Sequence, residues 1–411
     1  MTLRERFHEV MNFNPGVHSI KWEFGYWGKT LHDWYAAGLP KKKYPTLSRA
    51  ITTPTATLYA PAWTCQGIDK LPNGIAAMAG GLYHPTQAFP LDSDVRDHFG
   101  MDDTQRLVDV NLLFCPMFDV KIHEETAEKF TYTDVDGVKR LFLKDEATIP
   151  TSLEWPIKDR QSWEKLKAER LNLKNIKDRF PANWAQRVAE YKKRDYPLAV
   201  GGYPHGFFGT LAHLIGYENL FQWYCIEPDL VHDIVNTFTN VWLAVYEEVL
   251  SQVEIDHWQI WEDISFGKGS MISLDMVREF MLPYIKRIGD FLKSKGVKII
   301  LLDTDGDCNS LIPLFMEAGV TGMYPFETKC GMDIVKVRQK YPKLQMLGGI
   351  PKSDIHLGRK RIDEFLEPVD AVLKTGGYIP FGDHFIPPEV DFENFSYYRT
   401  KLNGLIDKYG K

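Results

Sequence analysis

The sequence predicts an α/β fold of the (β/α)8 TIM-barrel type with an elaborated N-terminal region. Three observations predict it. Between residues 198 and 381, short aliphatic or β-branched runs alternate with amphipathic helical stretches across short loops. Those runs end on glycines or polar residues, as barrel strands do where they open into the loops of the carboxyl-end mouth. The length of 411 residues, with 44% hydrophobic and 25% charged content, suits one large globular barrel or two domains.

The elements follow in order. Residues 2–12 read as an amphipathic helix stopped by Asn14-Pro15-Gly16. Residues 20–38 carry Trp22, Phe24, Tyr26, Trp27, Trp34 and Tyr35, a segment that either lids the barrel mouth or packs on its flank. From about 45 to 155 the text is turn-rich (Pro72-Asn73-Gly74, Gly80-Gly81, Asp136-Gly137), with strand-like runs at Val108–Cys115 and Arg140–Leu143. Residues 1–155 are therefore expected to form an extension packed on the barrel, and residues 156–411 the bulk of the barrel. Helical text at Ser162–Arg194 leads to a strand at Leu198–Tyr203, helices at Thr210–Tyr217 and Pro228–Val253, and a strand at His257–Trp261. A helix at Leu274–Lys295, kinked at Pro283, precedes the strand Val297–Leu302. The alternation continues with helix 308–318, strand 320–324, helix 331–340, strand 345–349, helix 361–374, strand 377–381 and helix 391–408.

Composition excludes several classes of function. A net charge of −6 and a pI near 6.1 argue against nucleic acid as a partner. No run approaches the ~18 apolar residues of a membrane span, and the N-terminus lacks a secretory apolar segment. Cys65, Cys115, Cys225, Cys308 and Cys330 are scattered without a Cys-x-x-Cys pair, as reduced thiols of a cytoplasmic protein are. A small-molecule ligand remains, and 13% aromatic content suits either a ring-lined cavity or a large core.

The residues that end the strands carry the chemistry. They are Tyr203 and His205, Glu262 and Asp263, Asp303 and Asp305, Tyr324 and Glu327, and Asp383 with His384. Side chains two apart on a strand share a face, so Asp303 and Asp305 project together, repel, and raise each other's pKa unless a cation lies between them. A metal held by Glu262, Asp303, Asp305, Asp383 and His384 answers that repulsion; this donor set suits zinc or another divalent transition metal in an open site. Taken singly, each has a plainer reading: helix N-cap, as expected for Asp307, turn residue for Asp305, backbone donor for His384. Gly201–Gly209 lacks a phosphate-loop pattern and is expected to let backbone approach a flat ligand, with Phe207 and Phe208 as walls. Arg278, Arg338 and Arg359 fall beside helices and are expected to be solvated, while Cys308 packs with Ile312 and Phe315.

Residues 195–408 resemble the uroporphyrinogen decarboxylase superfamily. The resemblance rests on Gly206-Phe-Phe-Gly209, Trp261-Glu-Asp263, Pro283-Tyr284, Asp303-Thr-Asp305-Gly306, Tyr324-Pro-Phe-Glu327, Gly382-Asp-His384 and Pro387-Pro388. It implies a barrel and one of two activities, tetrapyrrole decarboxylation or zinc-dependent methyl transfer to or from a corrinoid. Cobalamin-independent methionine synthases are more distant kin. The decarboxylases open with an arginine pair that holds substrate carboxylates, and Lys21–Trp34 contains no arginine. The methyltransferases carry His-x-Cys where this chain has Asp303-x-Asp305, and a second cysteine near Asp383-His384. Oxygen and imidazole thus replace thiolate, which suits polarising an ether oxygen.

The resemblance implies a methyltransferase that takes methyl from a methoxylated, aromatic substrate and gives it to a corrinoid on a separate corrinoid protein. Glu327 or Asp263 would act as the acid–base group, and Trp27, Tyr203, His205, Phe207, Phe208 and Tyr324 would hold the ring. The rivals are a decarboxylase with an Asp/His proton relay and a corrinoid- or tetrapyrrole-binding protein without catalysis. A homodimer is compatible with all three.

Overall fold

The computed structural model describes residues 1–40, 93–119, 121–143 and 150–410. Cys65 and the turn-rich text from Thr53 to Pro85 lie outside them. The chain opens with α1 (Leu3–Met11), whose Thr2 side chain accepts from the Glu5 N–H while Glu5 reaches back to the Thr2 N–H. After α2 (Gly28–Ala36) and a helix at Ser93–Phe99 comes the two-residue strand β1 (Arg106–Leu107). Four antiparallel strands follow: β2 (Lys121–Glu125), β3 (Lys129–Thr133), β4 (Lys139–Leu143) and β5 (Thr151–Glu154). From β6 (Leu198–Gly201) the alternation expected from the sequence sets in. It runs through β7 (His257–Trp261), the small hairpin β8 (Ser265–Phe266) and β9 (Gly269–Ser270), then β10 (Ile299–Asp303), β11 (Gly322–Tyr324), β12 (Gln345–Leu347) and β13 (Tyr378–Ile379).

Strands β1, β6, β7, β10, β11, β12 and β13 form one parallel sheet in chain order, curled as a TIM barrel is. The segment 19–26 lies between its two edges. On one side Ser19 Oγ donates to Tyr378 O (2.6 Å) and Ile386 N to Gly25 O (2.9 Å). On the other, Trp22 Nε1 donates to Asp103 O (2.7 Å) and Asp102 N to Lys21 O (3.2 Å). The aromatic segment is therefore wall as well as surface. Glu23 locks it: fully enclosed, it accepts from Gly382 N, at 2.5 Å, and from Tyr398 Oη, at 3.1 Å, beside Arg399.

Period-two patterning decides what each strand faces. In β10, Ile299 and Leu301 join Tyr324, Leu347, Ile379 and Phe381 inside the barrel, while Ile300 and Leu302 join the core shared with the helices. Asp303 continues the inward series and ends the strand, so its carboxylate sits within the mouth. At the amino ends, α1 plugs the barrel: Gly377 N donates to Val10 O (2.9 Å), Gln345 Nε2 to Met11 O (2.9 Å), and Phe7 lies against His257 (5.0 Å between ring centroids).

Several elements differ from expectation for local reasons. Val108–Cys115 is not a strand: Arg179 donates to Asn111 O and Leu113 O, and the Asn111 side chain bonds Leu113 N and Phe114 O, taking groups a ladder would use. Residues 162–194 split into helices at Arg160–Arg170 and Trp184–Lys192. The kink at Pro283 is a break at Met281, with Pro283 in the first turn of the helix Leu282–Ser294, where its missing N–H leaves nothing unsatisfied. Asp307 is not a helix cap: it accepts from Asn309 N (3.0 Å), and the helix begins later, at Ile312. Arg338 is buried, donating to the carbonyls of Leu344, Gly376 and Gly377, whereas Arg278 and Arg359 pair with exposed carboxylates as surface residues. Cys308 is buried, as expected.

Candidate active site

Register brings three strand ends together. Asp303 pairs with Trp261 of β7 on one side and Tyr324 of β11 on the other, so the residues that follow all three strands share one rim. The loops are tied to each other: Glu262 N donates to Asp303 O (2.9 Å), Thr304 N to Tyr324 O (3.0 Å), and Gly306 N to Glu327 Oε2 (3.0 Å). Gly306 lies at φ +76° with the Ser265 backbone 2.6 Å from where a Cβ would stand, so the loop carrying Asp305 folds down only with glycine there. Asp263 takes φ +43°, a left-handed conformation uncommon for a residue with a side chain.

Four carboxylates act on one another here: Asp263, Asp303, Asp305 and Glu327. Burial pushes Asp303 and Asp305 well above the carboxylate range, and the neighbouring negative charges push further. Burial, with Glu327 nearby, raises Asp263 to about 7. Lys352 opposes this at Asp305, and its Nζ lies 3.2 Å from Glu327 Oε1. His384 Nε2 stands 3.5 Å from Asp305 Oδ2. The side chains of Asp305, Glu327, His384 and Lys352 are 33%, 21%, 20% and 17% exposed, so this group faces an opening.

The other candidates go elsewhere. Glu262 is enclosed, and its carboxylate accepts from the N–H groups of Phe207 (2.9 Å), Phe208 (2.7 Å) and Gly209 (3.1 Å). Burial lifts it to about 7 against those three donors. Asp383 accepts from Thr328 N (2.8 Å), Thr328 Oγ1 (2.7 Å) and Lys352 N (3.0 Å), which places Lys352 rather than offering a ligand. Phe207 and Phe208 are core residues, against Trp242 and Phe221 respectively, and form no wall of the mouth. His205 is buried against Trp242 with Nε2 3.0 Å from Tyr246 Oη; burial lowers its pKa to about 3 and keeps it neutral. Tyr324 lines the barrel interior below the rim. Trp27 packs on Phe385, which with Phe24 flanks His384, so the aromatic segment positions the histidine. Tyr203 stands at the rim with its ring 4.6 Å from Trp261.

Lys352, Cys330 and Tyr217 were missed. Cys330 Sγ lies 3.6 Å from Glu327 Oε2, its thiol raised to about 11 by burial and nearby carboxylates. Tyr217 feels Asp263 and Asp305. Lys352 stands five residues past the end of β12, beyond the strand-end positions the sequence singles out.

The residues do not fit the expected metal. With Glu262 and Asp383 committed to backbone N–H groups, Asp303, Asp305 and His384 remain of the expected ligands. Among the described residues, no three His, Cys, Asp or Glu side chains come together as a set that could hold an ion. No helix among them is long and apolar enough to cross a membrane.

Residues 143–400 match the family model described as uroporphyrinogen decarboxylase (URO-D). The uroporphyrinogen decarboxylase of Chlorobium phaeobacteroides (strain DSM 266 / SMG 266 / 2430) is 27% identical over 175 residues, 41% of this chain and 47% of that protein. The chain thus spans about half the length of the curated relative it matches. A B12-independent methionine synthase from Shewanella sp. W3-18-1 superposes with a TM-score of 0.41 at 9% identity, covering 85% of this chain and 95% of that one. A 3-keto-D-glucoside 4-epimerase from E. coli gives 0.34 at 12% identity over 56% and 84%. Neither likeness bears on the reaction.

Proposed function

The chain belongs to the uroporphyrinogen decarboxylase family, whose members are decarboxylases or methyltransferase-like enzymes, and from that premise we propose that its mouth protonates the oxygen leaving a methoxylated substrate as the methyl group departs. One observation carries the proposal: burial, reinforced by the neighbouring carboxylates, pushes Asp263, Asp303 and Asp305 up toward the protonated form beside Glu327. A neutral carboxyl in a buried site is a proton donor poised near neutral pH. Asp305, about a third exposed, delivers the proton from its carboxyl oxygen; His384, 3.5 Å away, restores it from solvent.

In balanced form, the CH3–O bond breaks with its electron pair staying on oxygen, which takes the proton of Asp305. A corrinoid carried on a separate protein would supply the two-electron nucleophile that accepts the methyl group as the oxygen leaves. The proton takes the part that a Lewis-acidic metal was expected to play. Lys352, held by Asp383 and paired with Glu327, balances the charge left on the cluster.

Decarboxylation of a small acid is the second reading, favoured by the 27% identical relative. There the same proton would land on the carbanion carbon. Free cob(I)alamin with methoxyarenes separates the two. We expect methylcobalamin to form and Asp305→Asn to slow it by about 100-fold or more. Carbon dioxide release from uroporphyrinogen without methyl transfer would sink the first reading. A stoichiometric zinc ion that raises Tm would replace the proton by a metal.

A further inference from the structure

The barrel interior below the mouth is divided. Along β10 to β13 it is apolar, filled by Ile299, Leu301, Leu347, Ile379 and Phe381. Along β1, β6 and β7 it is polar. In β7, Trp258 and Ile260 join the core shared with the helices, so His257 and Gln259 turn inward. In β6, Leu198 and Val200 join that core, and Ala199 and Gly201 face inside. Ala199 pairs with His257 and Gly201 with Gln259, so small residues lie beside larger polar ones. In β1, Arg106 turns outward over the Tyr196 ring, 4.1 Å from its centroid, which sends Gln105 and Leu107 inward. Leu107 and Gln259 meet: Leu107 Cδ1 and Gln259 Oε1 lie 2.6 and 3.4 Å from where a Cβ on Gly202 would stand. Two residues back along these parallel strands, Gln105 and His257 share the layer below, with Phe7 of α1 against the imidazole.

Gln105, His257 and Gln259 are fully buried. Gln259 Nε2 lies 3.3 Å from His257 Nε2, and there the pairing stops. Among the described residues, His257 Nδ1, Gln259 Oε1 and both amide atoms of Gln105 have no hydrogen-bond partner. Exchanging the ends of the Gln259 amide moves the unmet bond from its oxygen to its nitrogen and does not meet it. Gln345, across the same floor, is satisfied by protein alone: its nitrogen donates to Met11 O (2.9 Å) and its oxygen accepts from Thr321 Oγ1 (2.7 Å). Burial lowers the pKa of His257 to about 3 and keeps the ring neutral, one nitrogen a donor and the other an acceptor. The unmet groups are thus donors and acceptors together, and leaving each one bare inside a protein costs about as much as a lost hydrogen bond.

We propose that this side of the barrel is an enclosed hydration site, in which ordered water joins Gln105 to His257 and Gln259. The class of ligand follows from its partners. It is small and neutral, and it donates and accepts at once; an enclosed ion would need a countercharge that these three side chains lack. At about three hydrogen bonds to each buried water, the unmet atoms call for roughly two molecules. Gln259 pairs with Leu301, two residues before Asp303, so the site lies one inward layer beneath the carboxylates of the mouth. It stands independently of the reaction proposed above.

A high-resolution crystal structure of the unaltered protein tests the site directly. Water density within hydrogen-bond distance of the Gln105 amide and of His257 Nδ1 is expected. Side chains that close on one another with no water between them would overturn the inference. Stability supplies a second sign. Gln105→Met keeps the length of the side chain and removes its polar atoms. In a dry interior that exchange removes an unmet amide and stabilises the fold; beside bound water it strands the water's remaining hydrogen bonds. The unfolding equilibrium constant in urea melts is expected to rise about ten-fold. A constant that stays level or falls would overturn the inference, and if the variant does not fold, the crystal structure decides alone.

Discussion

Asp256, at the amino end of the strands, and Asp305, at the carboxyl end, are aspartates in the same barrel with opposite surroundings. Asp256 accepts from Arg4 Nε (2.7 Å), Arg194 (2.9 Å), Leu198 N (2.8 Å) and His8 Nε2 (2.7 Å), and these partners hold its pKa well below the carboxylate range despite burial. Asp305 meets Asp263, Glu327 and Asp383 with Lys352 in opposition, and its pKa is raised. One end of the barrel is satisfied and the other is not. That contrast is expected of a scaffold whose closed end holds the fold and whose open end keeps groups ready to react.

The two ends should answer pH with opposite sign. A depressed folded pKa means that Asp256 contributes stability above the ordinary carboxylate range and loses it as pH falls through the folded pKa. A raised folded pKa means that the mouth contributes fully below pH ~4 and loses stability as pH rises, up to about 7 for Asp263.

The largest test removes the satisfied end. Asp256→Ala leaves Arg194, with a side chain only 2% exposed, without its partner, and should lower unfolding free energy by about 3–5 kcal/mol in urea melts. A loss below about 1 kcal/mol would break the comparison. Asp305→Asn should instead stabilise, by on the order of 1 kcal/mol at pH 8 after allowing for its partial exposure, with the gain vanishing below pH ~4. A gain that grows in acid would reverse the sign assigned to the mouth. Asp263→Gly relieves the left-handed backbone and should raise stability by about 1 kcal/mol while turnover falls, read by paired melts and rates. His8→Gln, at the half-exposed edge of the Asp256 cluster, should cost about 0.5 kcal/mol.

What could be read beforehand follows the same divide. Hydrophobic period and strand-end position are local properties, so β7, β10 and the pairing of Asp303 with Asp305 were legible, as was the barrel itself. The fates of Glu262 and Asp383 were not, because each depends on backbone N–H groups from a distant loop turning toward it. Strand-end position points His205 to the mouth, and a glycine-rich phrase points Phe207 and Phe208 there; the tight turns of that phrase bury the side chains and leave the backbone to serve Glu262. Arg140 reads in the sequence only as strand text, and its meeting with His213 joins the four-stranded sheet to a barrel helix that no short-range pattern connects to it.

The wall segment 19–26 has a consequence for biosynthesis. Gly382 N and Glu23 Oε1 are joined across a separation of 359 residues, and Ser19 and Tyr378 likewise. While the chain emerges from the ribosome, the partners of Trp22 at residues 102–103 come early, but the second edge, at residues 378–386, is among the last parts made. Closing so long a loop is slow, and the waiting aromatic surface is sticky. A nascent chain released early would expose that surface permanently, so holdase chaperones are expected to engage the segment around Trp22 until the barrel can close.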